Sequence, residues 1–215
     1  EDDDAAPGAT RSASRIPKEL SDTAWAAECG LEYLRGPESD PWFLHLGFYR
    51  PHPPFIAPAP YNTYYDPADA PAPRRAASAE EEAAQHPLLG YYMDALKQDN
   101  FFENGQGRAA DMTEEEVRTM RAAYYGMMSE VDEHLGRVID FLKNSGQYDD
   151  TLIIVTSDHG EQLGDHHLLG KVGYFDESFH IPLIIRDPSA MANDTRGTIV
   201  DSYTGCIDVM PTILD

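Results

Sequence analysis

Residues 111–146, DMTEEEVRTMRAAYYGMMSEVDEHLGRVIDFLKNSG, constrain the fold more than any other stretch. Apolar side chains at Val117, Met120, Tyr124, Met127, Val131, Leu135, Val138 and Leu142 step by threes and fours. That spacing paints one stripe on an amphipathic helix. Thr113 and Glu116 have the spacing of a capping box, and Gly146 suits the left-handed position just past a helix end. QYDD then turns the chain directly into TLIIVTS, residues 151–157, an apolar run expected as a buried strand. Long helix, tight turn and buried strand make a crossover unit of a layered α/β sheet. In such sheets ligands gather at the carboxyl ends of the strands.

The flanking segments fit that class. SDTAWAAECGLEYLRG, residues 21–36, opens on a Ser/Asp cap; Trp25, Cys29 and Leu34 predict the buried face of a helix that stops at Gly36. PESD predicts a turn into WFLHLGFY, residues 42–49, expected as a largely buried strand. Five prolines in RPHPPFIAPAPYN, residues 50–62, forbid helix and central strand and leave a stiff extended loop. Residues 66–110 read as a surface excursion with one helical turn at Glu80–Glu82. PLIIR, residues 182–186, predicts a third buried strand, GTIVDSYTG a short edge element, and DVMPTILD a further helix around Pro211. Residues 1–20 read as a mobile arm or a cut loop, and the last helical pattern, which runs to the final residue without a cap, suggests truncation.

At the carboxyl end of TLIIVTS stands DHGEQLGDHHLLGK. Asp158 and His159 are adjacent, and where a chain turns past a strand end neighbouring side chains can converge on one ion. Carboxylate plus imidazole suits Zn²⁺, Mn²⁺ or a similar divalent cation, and Gly160 allows the sharp turn. The competing reading is that Asp158 caps the turn and His159 is an ordinary surface histidine. Two ligands do not complete a metal site, which needs four to six. His166 and His167 are weaker candidates, since adjacent side chains in a loop usually point apart. Glu161 and Asp165 could support ligands through hydrogen bonds or be solvated carboxylates. Lys171 is a point charge suited to a phosphate or sulfate oxygen. His52, held between Pro51 and Pro53 after WFLHLGFY, can serve as a general acid, as a donor to an anion, or simply in packing.

Composition narrows the partners. The chain has 215 residues, enough for a sizeable core, and a net charge of −22. An acid excess of that size argues against a duplex nucleic acid or an anionic membrane, where affinity comes from Lys and Arg. No stretch approaches a membrane span or the apolar core of a secretory signal. Cys29 and Cys206 form neither a disulfide framework nor a metal knuckle and are expected as buried structural thiols. The lack of a cysteine framework leans towards the cytoplasm, and a homo-oligomer is allowed.

SDHGEQLGDHHLLGK with GYFDESFHIPLII, LHLGFYRPHPPFIAPAPY and DVMPTILD together resemble the sulfatase family of the alkaline phosphatase superfamily. The nearest flavour is the bacterial phosphonate monoester hydrolase and arylsulfatase branch, where the strand-end pair is Asp-His. The resemblance covers most of residues 21–215 and implies an alkaline-phosphatase-like layered α/β/α sandwich, present in part. It implies Asp158 as a metal ligand, His159 as a ligand or a donor to the nucleophile, and Lys171 and His52 as contacts to the sulfate or phosphate group. The implied cofactors are one divalent ion (Mn, Zn or Ca) and a formylglycine nucleophile, and the implied substrate is a small anionic ester. The CxPxR or SxPxR motif that carries the nucleophile does not occur in these residues, so the nucleophile and the other carboxylate ligands are expected outside them. The residues alone are then expected to be inactive and to bind metal weakly or not at all. The alternatives are a non-catalytic domain that kept the fold for binding or assembly, and an unrelated metalloprotein.

Overall fold

A computed structural model describes residues 8–36 and 41–214. The expected PESD turn, the start of the N-terminal arm and the final residue lie outside the described residues. Helix α1 (Asp22–Leu34) opens on Ser21, whose side chain accepts from the Ala24 amide. Short helices α2 (Ala79–Ala83) and α3 (Pro87–Ala95) follow. Helix α4 (Glu114–Asn144) starts at the expected capping box, Thr113 with Glu116. Strand β1 (Ile153–Thr156), helix α5 (Asp176–Phe179), strand β2 (Leu183–Arg186) and helix α6 (Val209–Leu214) complete the order.

Helix α4 is the axis of the molecule. Val117, Met120 and Met127 are fully enclosed, and Val138 and Leu142 are buried further along. Tyr124, Val131 and Leu135, expected on the same stripe, are half-buried. Phe55, Tyr61, Phe101, Phe102 and Leu169 pack around the first half of α4, while Leu31 and Leu34 of α1 pack with Val138 and Leu142 around the second. Residues 66–110 enter this packing deeply: Phe101 and Phe102 belong to the main cluster, and Leu89, Met93 and Ala110 surround Leu168.

Several expectations change. The buried face of α1 is Ala24, Ala27, Leu31 and Leu34, and Trp25 is 71% exposed. That stripe steps by three, four and three, and its small members let α1 lie close against α4; Trp25 and Cys29 fall off it. Both cysteines are exposed rather than buried. Residues 42–49 form no strand among the described residues, and Leu44, Leu46 and Phe48 alternate with exposed neighbours. Only one face is covered, with Leu44 and Leu46 against the α1–α4 cluster. PLIIR does contain β2, but Ile184 and Ile185 are 63% and 46% exposed. Strand β2 pairs antiparallel with β1, Ile153 opposite Arg186 and Thr156 opposite Leu183, so the described residues form a two-stranded ladder and no parallel crossover. GTIVDSYTG contains no strand, and Ile199 and Tyr203 stand in solvent.

The stripe of α4 also buries Arg121, Glu130 and His134, which periodicity did not announce. Glu130 is completely enclosed, and neither carboxyl oxygen has a hydrogen-bond partner among the described residues. The neighbouring Ser21 hydroxyl donates to the Lys18 carbonyl instead. Burial raises the Glu130 pKa, Asp22 and Glu133 add to the rise, and the Arg50 charge opposes it. A raised folded-state pKa means that stability is greatest below the unfolded value and declines as pH climbs through the folded one. Glu130→Gln is therefore expected to stabilise the fold by about 1–3 kcal/mol near neutral pH, with the gain vanishing below about pH 4. Urea unfolding at both ends of that range is the measurement; an equal gain at both would contradict it.

Candidate active site

Beyond the end of β1 the chain bends at Asp158 and then packs tightly against α5 at Gly160. Its amide donates to the Ser178 carbonyl at 2.8 Å, and a β-carbon on residue 160 would collide with the Glu177 carbonyl. The turn puts Asp158 and His159 side by side. His159 Nδ1 donates to the Gly160 carbonyl at 2.8 Å, so Nε2 carries the lone pair. That lone pair faces the Lys171 ammonium at 2.8 Å, and Asp158 Oδ2 lies 3.5 Å from the same nitrogen. Asp158 Oδ1 accepts from the His159 amide at 3.0 Å. Asp158 and Lys171 are exposed and His159 is half-buried. Three of the four expected site residues therefore meet, with a cation already drawn to the imidazole lone pair beside a carboxylate.

Glu161 stands behind this group. Its Oε1 accepts from the Gly170 and Leu163 amides. Burial nonetheless raises its pKa, while those two amides and the Lys171 charge pull the other way. Gln162, fully enclosed, donates to the Ser178 hydroxyl at 2.7 Å and to the Val172 carbonyl at 3.2 Å. The loop is wound through left-handed residues at Leu163, Gly164, His166, His167, Gly170, Gly173 and Tyr174. At Gly164, with φ +87°, a β-carbon would also stand 2.7 Å from Val117.

Among the described residues, no hydrogen bond or ion pair joins His52 to the other three. Its Nδ1 donates to the Pro53 carbonyl at 2.9 Å, and its ring lies 4.6 Å from that of Tyr49. The two segments are instead linked through the core. Phe55, three residues after His52, stacks on Phe101, and Phe101 lies against Gly170. Asp165 and the two following histidines turn away from the site. Asp165 accepts from Arg121 at 2.7 Å and from the Arg74 amide at 2.5 Å. His167 is buried with its ring nitrogens against the Ala110 and Ala76 carbonyls. His166 lies between Glu82 and Glu177.

The sulfatase family pattern matches residues 5–215. The chain belongs to the sulfatase family. It is 54% identical, over all of its length and 41% of the relative's, to the multifunctional alkaline phosphatase superfamily protein PehA of Trinickia caryophylli. Among solved structures it resembles the phosphonate monoester hydrolase of Silicibacter pomeroyi, with a TM-score of 0.86 and 44% identity over 95% of this chain and 39% of that one. It resembles that of Agrobacterium radiobacter with a TM-score of 0.81 and 49% identity over 86% and 37%. The chain thus spans about two fifths of the length of these relatives. The alkaline-phosphatase-like sulfatase fold expected from the motifs is the fold of these neighbours, present here in part.

Within that part, the chemistry of Asp158 and His159 fits a divalent cation. An exposed carboxylate and an imidazole lone pair sit on one side of a rigid turn, and the lone pair already faces a positive charge. Among the described residues no three His, Cys, Asp or Glu side chains gather closely enough to hold a metal ion. Two such groups would need further ligands to hold a metal ion.

Proposed function

We propose that residues 21–215 form the middle-to-late part of the catalytic domain of a metal-dependent hydrolase acting on sulfate esters, or on phosphate or phosphonate esters. The observation that carries this is the meeting of Asp158, His159 and Lys171 at the carboxyl end of β1, in a member of the sulfatase family. Asp158 and His159 would contribute two ligands to one divalent ion, which when bound supplies positive charge to polarise the ester oxygens. The attacking group, a formylglycine in the family resemblance, would come from residues outside these 215. Lys171, with three donors, would hold a non-bridging oxygen of the anionic group and favour the charge that grows there. His52 Nε2 is free of the Pro53 bond and would protonate the leaving oxygen or bind the anion once that segment and the site face the same substrate.

The test uses the full-length protein, loaded with Mn²⁺ or Zn²⁺, against a panel of aryl sulfate, phosphate and phosphonate esters. Turnover of at least one, abolished by chelation and restored by metal, is expected. Silence on the whole panel with the nucleophile present would refute the enzymatic reading and favour a domain kept for binding or assembly.

A further inference from the structure

His166 takes no direct part in the site, yet it is the most heavily engaged histidine of the loop. Its Nδ1 meets Glu82 Oε1 at 3.0 Å and its Nε2 lies 3.8 Å from Glu177 Oε2. Its ring stacks flat on Phe175, centroids 3.7 Å apart with 4° between planes. Its amide donates to the Arg74 carbonyl at 2.8 Å. We propose that His166 is a positioning residue, which holds α5 against Gly160 and thereby fixes the direction in which His159 presents Nε2 to Lys171. The proposal rests on the hydrolase reading only for its kinetic consequence.

The geometry supplies each step. Helix α5 has four residues, too few to hold its own shape or place. It is fastened at Ser178, whose hydroxyl accepts from Gln162, and beside His166, whose ring stacks on Phe175 with Glu177 Oε2 3.8 Å from its Nε2. The far side of His166 rests on Glu82. That carboxylate is almost fully buried and also accepts from the Ala76 amide at 2.7 Å and Gln85 at 3.0 Å. Burial alone would raise its pKa, but the Ala76 amide and His166 hold it below the ordinary carboxylate value, so the post stays anionic. From α5 the path to the site is short. The Ser178 carbonyl holds the Gly160 amide and the Glu177 carbonyl packs against the Gly160 α-carbon, the Gly160 carbonyl in turn holds His159 Nδ1, and the other nitrogen of that ring faces Lys171. Releasing the Glu177 side of His166 lets this series of contacts drift while leaving the core intact.

Two variants of the full-length protein separate positioning from packing. His166→Asn suits the left-handed backbone at φ +55° and keeps an N–H for Glu82, but it cannot reach Glu177 or stack on Phe175. Glu177→Gln touches the same link from a side chain that is partly exposed, and it keeps the test alive should the first variant fold poorly. In His166→Asn, kcat on an aryl phosphonate ester is expected to fall about tenfold with KM little changed, at a melting temperature near that of the parent. Glu177→Gln should lower kcat in the same direction, and the double variant should fall no further than the worse single one. In protein labelled with ¹⁵N-histidine, the His159 ring signals should shift in both variants. Unmoved His159 signals, or additive losses in kcat, would overturn the proposal. If the parent protein hydrolyses no ester, the hydrolase reading fails, and the ring signals alone then decide whether His166 positions His159.

Discussion

Lys171→Ala in the full-length protein is expected to lower kcat/KM for aryl sulfate or phosphonate esters by about 10²- to 10³-fold, most of it in kcat. The expectation follows from what the ammonium does in the structure. It lies 2.8 Å from His159 Nε2, at the edge of the carboxylate–imidazole pair. It follows Gly170, whose left-handed backbone turns the chain back towards the β1 end. On the proposed reading, a cation held there would act more on charge that develops during reaction than on charge already present, which would move kcat rather than KM. Lys171→Arg should recover only part of the loss, because a planar five-donor guanidinium cannot occupy the place of a compact point charge. The fold should be unaffected, since Lys171 is exposed. A Lys171→Ala variant within threefold of the parent would remove Lys171 from the site.

The parts of this molecule that were legible in the sequence are those whose physics is local. The Thr113–Glu116 box lies within one turn of α4, and the Gly146 end, φ +76°, satisfies itself against Lys143. The nearness of Asp158, His159 and Lys171 was legible in part, because all three stand in the one short loop that follows β1. The illegible parts depend on residues far apart in the chain. Nothing near Glu82 announces that it will face His166, and nothing in the α4 stripe marks Arg121 as buried while Met128 is half exposed. The left-handed backbones of Leu163, His166, His167 and Tyr174 carry no sequence signal, whereas those of Gly164, Gly170 and Gly173 do. Apolar runs such as WFLHLGFY and PLIIR announce extended chain, but their burial depends on what covers each face. In the described residues only one face of WFLHLGFY is covered.

The same long-range logic makes Arg121→Ala the most damaging single change expected for stability, with a loss of about 3–5 kcal/mol. Arg121 is 5% exposed. Its Nη2 donates to Asp165 Oδ1 at 2.7 Å, its Nε to the Leu163 carbonyl at 3.0 Å, and its Nη1 to the Pro71 carbonyl at 3.1 Å. One guanidinium thus joins α4, the proline-rich strand of chain before α2, and the first turn of the site loop. Removing it strands the Asp165 carboxylate, whose side chain is 13% exposed, with the Arg74 amide still donating to it, and it frees the Leu163, Pro71 and Ala72 carbonyls in a place water reaches poorly. Breaking one side of a buried ion pair costs more than the pair was worth, because the survivor keeps its desolvation penalty. Asp165→Asn should cost less, since the amide can still accept from Arg121 and leaves no bare carboxylate. Denaturant unfolding of both variants checks the order. If Arg121→Ala proved no worse than Asp165→Asn, the buried cation would not be what ties the loop to α4, and the left-handed turns between Leu163 and His167 would have to hold themselves.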